Sequence, residues 1–285
     1  MARRPFDPAA LRLRKTEYRQ GDILDRAAVD ALVAEADVVV HLAFIIMGGR
    51  EESRRINLEG SANVFAAAAA SARVRRLVYT SSVAAYGFHA DNPQPLTEDV
   101  PARGSDEHYY SAEKAELEAT LWDTVGDLDT YVFRPCIVTG PDALMPLEWI
   151  PWPLRRSPFT LLPDTGIPFQ LVHHDDVASA LVAAVRGAGR PGVYNLAGPD
   201  ELTPRDLARA LGWHSIPAPR ALVSLAAATT GLPLVPAQAQ WLHAFSVPVV
   251  MSTARARKEL RWRPRHTAVE TLEAAVASAR SRGIL

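Results

Sequence analysis

A single cysteine, Cys136, stands among 285 residues. No internal disulfide can form, and a reducing compartment, the cytoplasm, is the natural expectation. Lysine is nearly as scarce, with three (Lys15, Lys114, Lys258) against 28 arginines. Arginine serves equally well on most solvated surfaces, so each retained lysine marks a place where a compact, titratable ammonium is worth looking for. No stretch approaches the roughly 20 apolar residues of a membrane span. The Met-Ala-Arg-Arg start has no apolar core behind it, which speaks against a secretory signal. A formal charge of −1 lacks the basic excess expected of a nucleic-acid or anionic-membrane binder. Glycine, finally, is absent from the first twenty residues.

What is present is ordinary for a globular enzyme: 48% hydrophobic and 22% charged residues, in a chain long enough for one large α/β domain or a domain with a smaller appendage. After a basic, irregular start, Thr16 to Gly21 reads as a short strand. Asp25 caps a helical pattern from Arg26 to Ala36. Asp37 to Phe44 reads as a buried strand, apolar on both faces as parallel sheets require. A long alanine-rich helix follows from Arg50 to Ser71, then a strand at Arg76–Ser81 and a proline-rich loop from Asp91 to Pro101. Tyr109 to about Asp123 reads as a helix, and Thr130–Arg134 as a strand stopped by Pro135.

This alternation argues for βαβ units and a doubly wound parallel sheet. Seven prolines between Pro141 and Pro168 mark a loop-rich insertion. A strand at Gln170–Val172, a helix at Asp175–Arg186 and a strand at Val193–Ala197 resume the pattern. Beyond Thr203, a good N-cap before Pro204, the remainder reads as mainly helical. The expected division is residues 1–140 with 170–197 as the parallel α/β domain, and 141–169 with 198–285 as a smaller substrate-side lobe. Trp213, Trp241, His243 and Phe245 make that lobe aromatic enough for an apolar or ring-shaped ligand, with core packing as their expected use.

The chemistry concentrates in Tyr110-Ser-Ala-Glu-Lys114. Positions i and i+4 share a helix face, so a phenol and an ammonium can enter one pocket. A phenol with a pKa near 10 is a poor base at neutral pH; nearby positive charge favours the phenolate, which can then exchange a proton with a substrate alcohol. Upstream, Thr80-Ser81-Ser82 lies at the C-terminal end of a parallel strand, where open α/β sheets place ligands. His173, His174, Asp175 and Asp176 invite a metal reading. Two adjacent histidines rarely share one ion, so the expectation is no metal, with Asp175 or Asp176 capping a helix.

The string Tyr79-Thr-Ser-Ser-Val-Ala-Ala-Tyr-Gly87, then Tyr110-x-x-x-Lys114, then Arg134-Pro-Cys-Ile-Val-Thr-Gly-Pro141 resembles the extended short-chain dehydrogenase/reductases, the NAD-dependent epimerase/dehydratase family. Gly21-Asp22-Ile-Leu-Asp25, His41-Leu42-Ala43, Asn57, Gln170–Ala178 and Val193–Ala197 fall in the family's order, so the resemblance covers about residues 20 to 200. It implies a Rossmann-like fold, an NAD or NADP cofactor, and hydride transfer on a secondary alcohol or ketone of a small-molecule substrate, a sugar derivative among the candidates. By the same resemblance Tyr110 is the general acid/base. Lys114 binds the nicotinamide ribose and lowers the phenol's pKa, while Ser82, with Ser81 beside it, holds the reacting oxygen. Asp22 and Ile23 fall at the adenine, Leu42 and Ala43 along the ribose and phosphates, and Pro135 and Ile137 at the nicotinamide end. A homodimer through the two long helices is usual in such relatives.

Two departures qualify this. The family opens with a strand and a Gly-x-x-Gly-x-x-Gly turn whose backbone hugs the pyrophosphate, and nothing like it precedes Asp22. Either the true start lies some thirty residues upstream, which is the expectation, or the protein is shortened and binds the cofactor weakly or not at all. A missing central strand would leave open sheet edges. Second, Ile137 stands where nucleotide-sugar enzymes commonly carry an Asn, and Val83-Ala84 replaces the Asp-Glu pair of the sugar dehydratases. A dehydratase is therefore disfavoured, while an epimerase and a reductase or dehydrogenase stay open. Arg3 and Arg4 are compatible with the NADP 2′-phosphate or simply with a basic tail. The rival reading is a non-catalytic Rossmann-like binding or regulatory protein that has lost the phosphate site.

Overall fold

The computed structural model describes all residues except 6, 12, 14, 47–49, 149, 151, 157–159 and 220–246. Trp241, His243 and Phe245 therefore lie outside the described residues. The chain divides into two units, Met1–Thr80 with Glu116–Tyr131, and Ser81–Ala115 with Val132–Leu285.

In the first unit, helix α1 (Arg26–Val33) starts where expected, because the Asp25 carboxylate accepts the Ala28 amide. Val29 and Val33, four residues apart on one face, are its buried residues. Strand β1 (Val38–His41) pairs in parallel with β2 (Arg76–Thr80), Val38 opposite Arg76 and His41 opposite Tyr79. Between them run α2 (Arg50–Arg55), a π-helical segment (Ile56–Gly60) and α3 (Ser61–Ala70). The single long helix expected over this span thus carries a π insertion. Asn57, buried within it, holds the loop that precedes α2, its side chain accepting the Ile45 N–H and donating to the Ile45 carbonyl. His41 is buried, bonded to the Ser61 hydroxyl at 2.9 Å and stacked on Tyr79.

Two expectations fail in this unit. Thr16 to Gly21 forms no strand; its one ladder contact is an isolated bridge from Gln20 to Ala2, with the Tyr18 hydroxyl donating to the Ala2 and Arg4 carbonyls. Nor is the expected Asp37–Phe44 strand buried on both faces, since β1 ends at His41, Val40 is 40% exposed and Leu42, beyond its end, is 58% exposed. The reason is position. In the four-stranded order β1, β2, β3 (Asp129–Pro135) and β7 (Gly192–Leu196), β1 is an end strand among the described residues, with β2 its one ladder partner there, so fewer neighbours surround it than a central strand.

Strand β3 (Asp129–Pro135) follows helix α4 (Tyr109–Val125) and runs from the first unit into the second. β3 ends at Pro135, as expected, and after a one-residue break at Cys136 the chain resumes as a separate strand, β4 (Ile137–Thr139). β4 pairs in parallel with β6 (Leu171–His173), and α7 (His174–Val185) and β7 (Gly192–Leu196) complete the α/β pattern. The region expected to be loop contains short helices α5 (Met145–Glu148) and α6 (Trp152–Arg156) and strand β5 (Leu161–Asp164). β5 pairs in parallel with β8 (His214–Pro217), so the C-terminal part is not purely helical. Neither strand alternates cleanly in sequence, and each carries a proline, which hid them. α8 (Pro204–Leu211) begins with the expected Thr203 cap, completed by Asp206 as a capping box. After α9 (Ala254–Glu259), α10 (Ala268–Ser281) packs Leu272, Ala275 and Val276 into a cluster with Leu144, Phe169 and Leu202. Trp213 is partly buried against that cluster, the core role expected of it. The architecture is a Rossmann-like parallel sheet flanked by helices, with a smaller, mainly helical C-terminal region.

Candidate active site

Chain geometry after β2 places the first functional side chain. Ser82 adopts an extended backbone and caps the 3-10 turn Val83–Tyr86, its hydroxyl oxygen accepting the Ala84 amide at 3.1 Å. The turn ends at Gly87, whose φ of +83° suits glycine. A side chain there would strike the Gly104 carbonyl and His89. Behind the turn the Tyr86 hydroxyl donates to Asn195 Oδ1 at 2.7 Å, and the Arg134 guanidinium lies over the Tyr86 ring at 4.3 Å. Asn195 in turn donates to the Leu96 and Ser252 carbonyls. Its backbone N–H is accepted by Glu98, whose carboxyl burial holds above the usual range. This buried polar network fixes the floor on which Ser82 sits.

Helix α4 supplies the second and third groups. Its start is set by His108, fully buried, whose Nδ1 accepts the Ser111 amide at 3.3 Å. Tyr110 is 8% exposed and hydrogen-bonded to Ser82. Lys114, one turn on and 3% exposed, carries its ammonium 5.9 Å from the centre of the Tyr110 ring. Ser82, Tyr110 and Lys114 are thus brought together within one unit, and Ser81 is buried beside Ser82. Burial pushes the Tyr110 phenol up to about 12, the neighbouring Tyr109 adding to this and the Ser82 bond opposing it. Desolvation therefore sets the net direction, and the acidifying part expected of Lys114 is not what decides it here.

Pro135 is buried at the end of β3, and Ile137, half-buried, opens β4. Cys136 between them is buried, and burial drives its thiol well above the ordinary range, leaving it inert. In the first unit the Asp22–Ile23 turn is held locally, Asp22 accepting the Leu24 amide and the Ile23 carbonyl accepting from Asn63. Leu42 and Ala43 follow β1 in exposed, irregular chain.

The histidine cluster corrects one expectation. His173, not Asp175 or Asp176, caps α7, its Nδ1 accepting the Asp175 amide at 3.2 Å. Asp176 is instead buried and reaches the far segment, accepting from the Arg265 and His266 amides and facing His266 Nδ1 at 3.1 Å. His173 stacks between His174 (4.4 Å) and His266 (3.9 Å). Ligand atoms of His173, His174 and Asp175 lie within 4.8 Å of one another. A metal reading nevertheless conflicts with the tautomer, because a His173 whose Nδ1 accepts an amide proton carries its own proton on Nε2. Burial, with His266 and His174 beside it, holds the His173 pKa below the usual imidazole value.

Sequence reasoning missed Ser111, His108 and His266. The signal for the first was available, a serine immediately after the candidate tyrosine; nothing local announces that His266 meets His173.

Comparison with known proteins accords with this geometry. Residues 1–197 match the model of the NAD dependent epimerase/dehydratase family. An uncharacterized protein of Mycobacterium tuberculosis is 27% identical over 275 residues, covering 92% of this chain and 71% of that protein. A dTDP-glucose 4,6-dehydratase of Streptomyces antibioticus is 32% identical over 238 residues, covering 74% of this chain and 65% of the dehydratase. The crystal structure of the Bordetella bronchiseptica enzyme WbmG in complex with NAD and UDP superposes with a TM-score of 0.70 at 19% identity, covering 93% of this chain and 79% of that one. No helix among the described residues is long and apolar enough to cross a membrane. The chain belongs to the NAD dependent epimerase/dehydratase family.

Proposed function

We propose that this protein is an NAD(P)-dependent oxidoreductase or epimerase acting on a secondary alcohol or ketone of a sugar derivative, a nucleotide sugar in the first instance. The observation that carries the reading is the buried Ser82–Tyr110–Lys114 arrangement, in which a phenol is hydrogen-bonded to one hydroxyl and flanked by one ammonium. Those groups fit a nicotinamide dinucleotide. A phenol held at about 12 by burial is a poor base by itself, and it gains most from positive charge placed beside it in a low-dielectric site.

The bound nicotinamide supplies the hydride acceptor or donor. Ser82 holds the reacting oxygen, and Tyr110 takes the alcohol proton in oxidation or returns it in reduction. Lys114 binds the nicotinamide ribose and stabilises the phenolate. An epimerase uses the same three groups to oxidise and re-reduce one carbon. We assign Pro135 and Ile137 to the nicotinamide end, and by family resemblance Asp22, Ile23, Leu42 and Ala43 to the adenosine and phosphate end. Residues 141–169 and 198–285 are the substrate side. WbmG, whose structure holds both NAD and UDP, supports the choice of a nucleotide-sugar substrate. Val83 and Ala84 in place of an acidic pair argue against the dehydration carried out by the Streptomyces relative. We place the protein in the cytoplasm, as a homodimer through the Arg50–Ala70 and α4 helices, with no nucleic-acid partner. Titration with NAD(H) and NADP(H), followed by calorimetry, tests the reading: one of the four is expected to bind, and failure of all four would leave a non-catalytic member of the family.

A further inference from the structure

The hydrogen bonds around Ser82 and Tyr110 close into a ring. Ser82 Oγ accepts the Ala84 N–H at 3.1 Å. The carbonyl of the same Ala84 accepts the Ser111 hydroxyl at 2.6 Å. Ser111 is the covalent neighbour of Tyr110, and the Tyr110 hydroxyl meets Ser82 again. All four residues are buried, Ser111 completely. A serine in the first turn of a helix ordinarily bonds to backbone groups of its own helix. This one reaches a turn 27 residues earlier, while its N–H is taken by His108. His108 also packs edge-on to the Tyr110 ring, 6.3 Å between centroids.

We infer that Ser111 is a positioning residue for the proton-transfer pair, its hydroxyl clamping the start of α4 to the Ala84 carbonyl and so setting the Tyr110–Ser82 hydrogen bond. The inference rests on the proposed role of Tyr110. The chemistry is directional. Because one Ser82 lone pair is occupied by the Ala84 N–H, the Ser82 proton can be aimed at the phenol oxygen, which favours the phenolate. A slack clamp lengthens that bond and makes the phenol a weaker acid.

The test needs no nucleotide. The chain is labelled with tyrosine carrying ¹³C at Cζ, the carbon bearing the hydroxyl, and the Tyr110 resonance is assigned with Tyr110→Phe. Ser111→Ala is expected to move that resonance and to raise the pH at which it begins to titrate by about one unit, a tenfold weaker acid, with the other six tyrosines unmoved. Ser111→Thr keeps the donor and should restore the wild-type resonance, whereas Ser111→Val, the same shape without the hydroxyl, should not. That matched pair decides the matter even if the alanine variant fails to fold. A Tyr110 resonance and titration unchanged in Ser111→Ala, or identical in the Thr and Val variants, overturns the inference. Failure of the functional reading shows itself separately, as a wild-type chain that binds none of the four nucleotides.

Discussion

Raising the pH offers a direct measure of how strongly the fold holds Tyr110 neutral. An ordinary phenol titrates near 10, and burial pushes Tyr110 up to about 12. The gap of about two pH units corresponds to ~2.7 kcal/mol at 1.36 kcal/mol per unit. The sign follows from which form the fold prefers. The folded pKa lies above the unfolded one, so the contribution is complete below about pH 10 and is lost as pH rises towards 12. The phenol is only 8% exposed, so solvent screening removes little of this. Urea unfolding followed by circular dichroism, at several pH values from about 8 to 11.5, should show wild type losing up to about 2 kcal/mol more than Tyr110→Phe. Tyr86 and Tyr131, also held up by burial, titrate in both proteins and cancel. At pH 8 the variant itself should be less stable by about 1 kcal/mol, the worth of the lost Ser82 bond. Two stability curves that fall in parallel would refute the claim that desolvation dominates the Tyr110 environment.

Lys114→Met keeps the length and removes the charge; turnover should fall by at least about 100-fold and nucleotide affinity should weaken in calorimetry, unchanged affinity arguing against the ribose contact. Asp176→Asn removes one acceptor from a buried carboxylate that serves two backbone amides and His266; a loss of about 2–3 kcal/mol in urea unfolding is expected, and a loss under 0.5 kcal/mol, about the scatter of surface substitutions, would show that the segment before α10 is held by other contacts. Gly140→Ala introduces a Cβ into the His174 ring at a φ of +147°, which should cost about 1–3 kcal/mol and lower the melting temperature; a wild-type melt would mean the His173–His174 stack yields freely.

The strand–helix alternation was legible because its signals are local. Asp25 and Thr203 cap as their side-chain chemistry requires, and the Tyr110–Lys114 spacing places both groups on one helix face whatever surrounds them. Features that depend on distant chain were not legible. β5 and β8 form a ladder only because they meet each other across about fifty residues, and neither segment has enough alternation to announce a strand. β1 reads as doubly buried from its valines, yet Val40 is exposed, because burial depends on which neighbours the sheet supplies and composition cannot report that. Asp176 looks like a cap two residues into a helix; the cap is the His173 ring nitrogen instead, and the carboxylate accepts two amides near residue 265, which no local signal announces.

The site shows how burial acts in two directions at once. Removing water from around Tyr110 penalises the phenolate, which is why the phenol stands near 12 and not near neutrality. The same exclusion of water strengthens every fixed charge or dipole that faces the oxygen, since an interaction worth about 1 kcal/mol in bulk water is worth several times that at a low effective dielectric. A solvated tyrosine would begin closer to the useful range and gain little from a neighbouring ammonium. A buried one begins further away and responds more. Its acidity is therefore governed by the few groups beside it, the Ser82 hydroxyl first among them, and by whatever charge a bound ligand brings. A hydroxyl only one residue away in sequence, that of Ser111, acts on it solely through the geometry of the first of these.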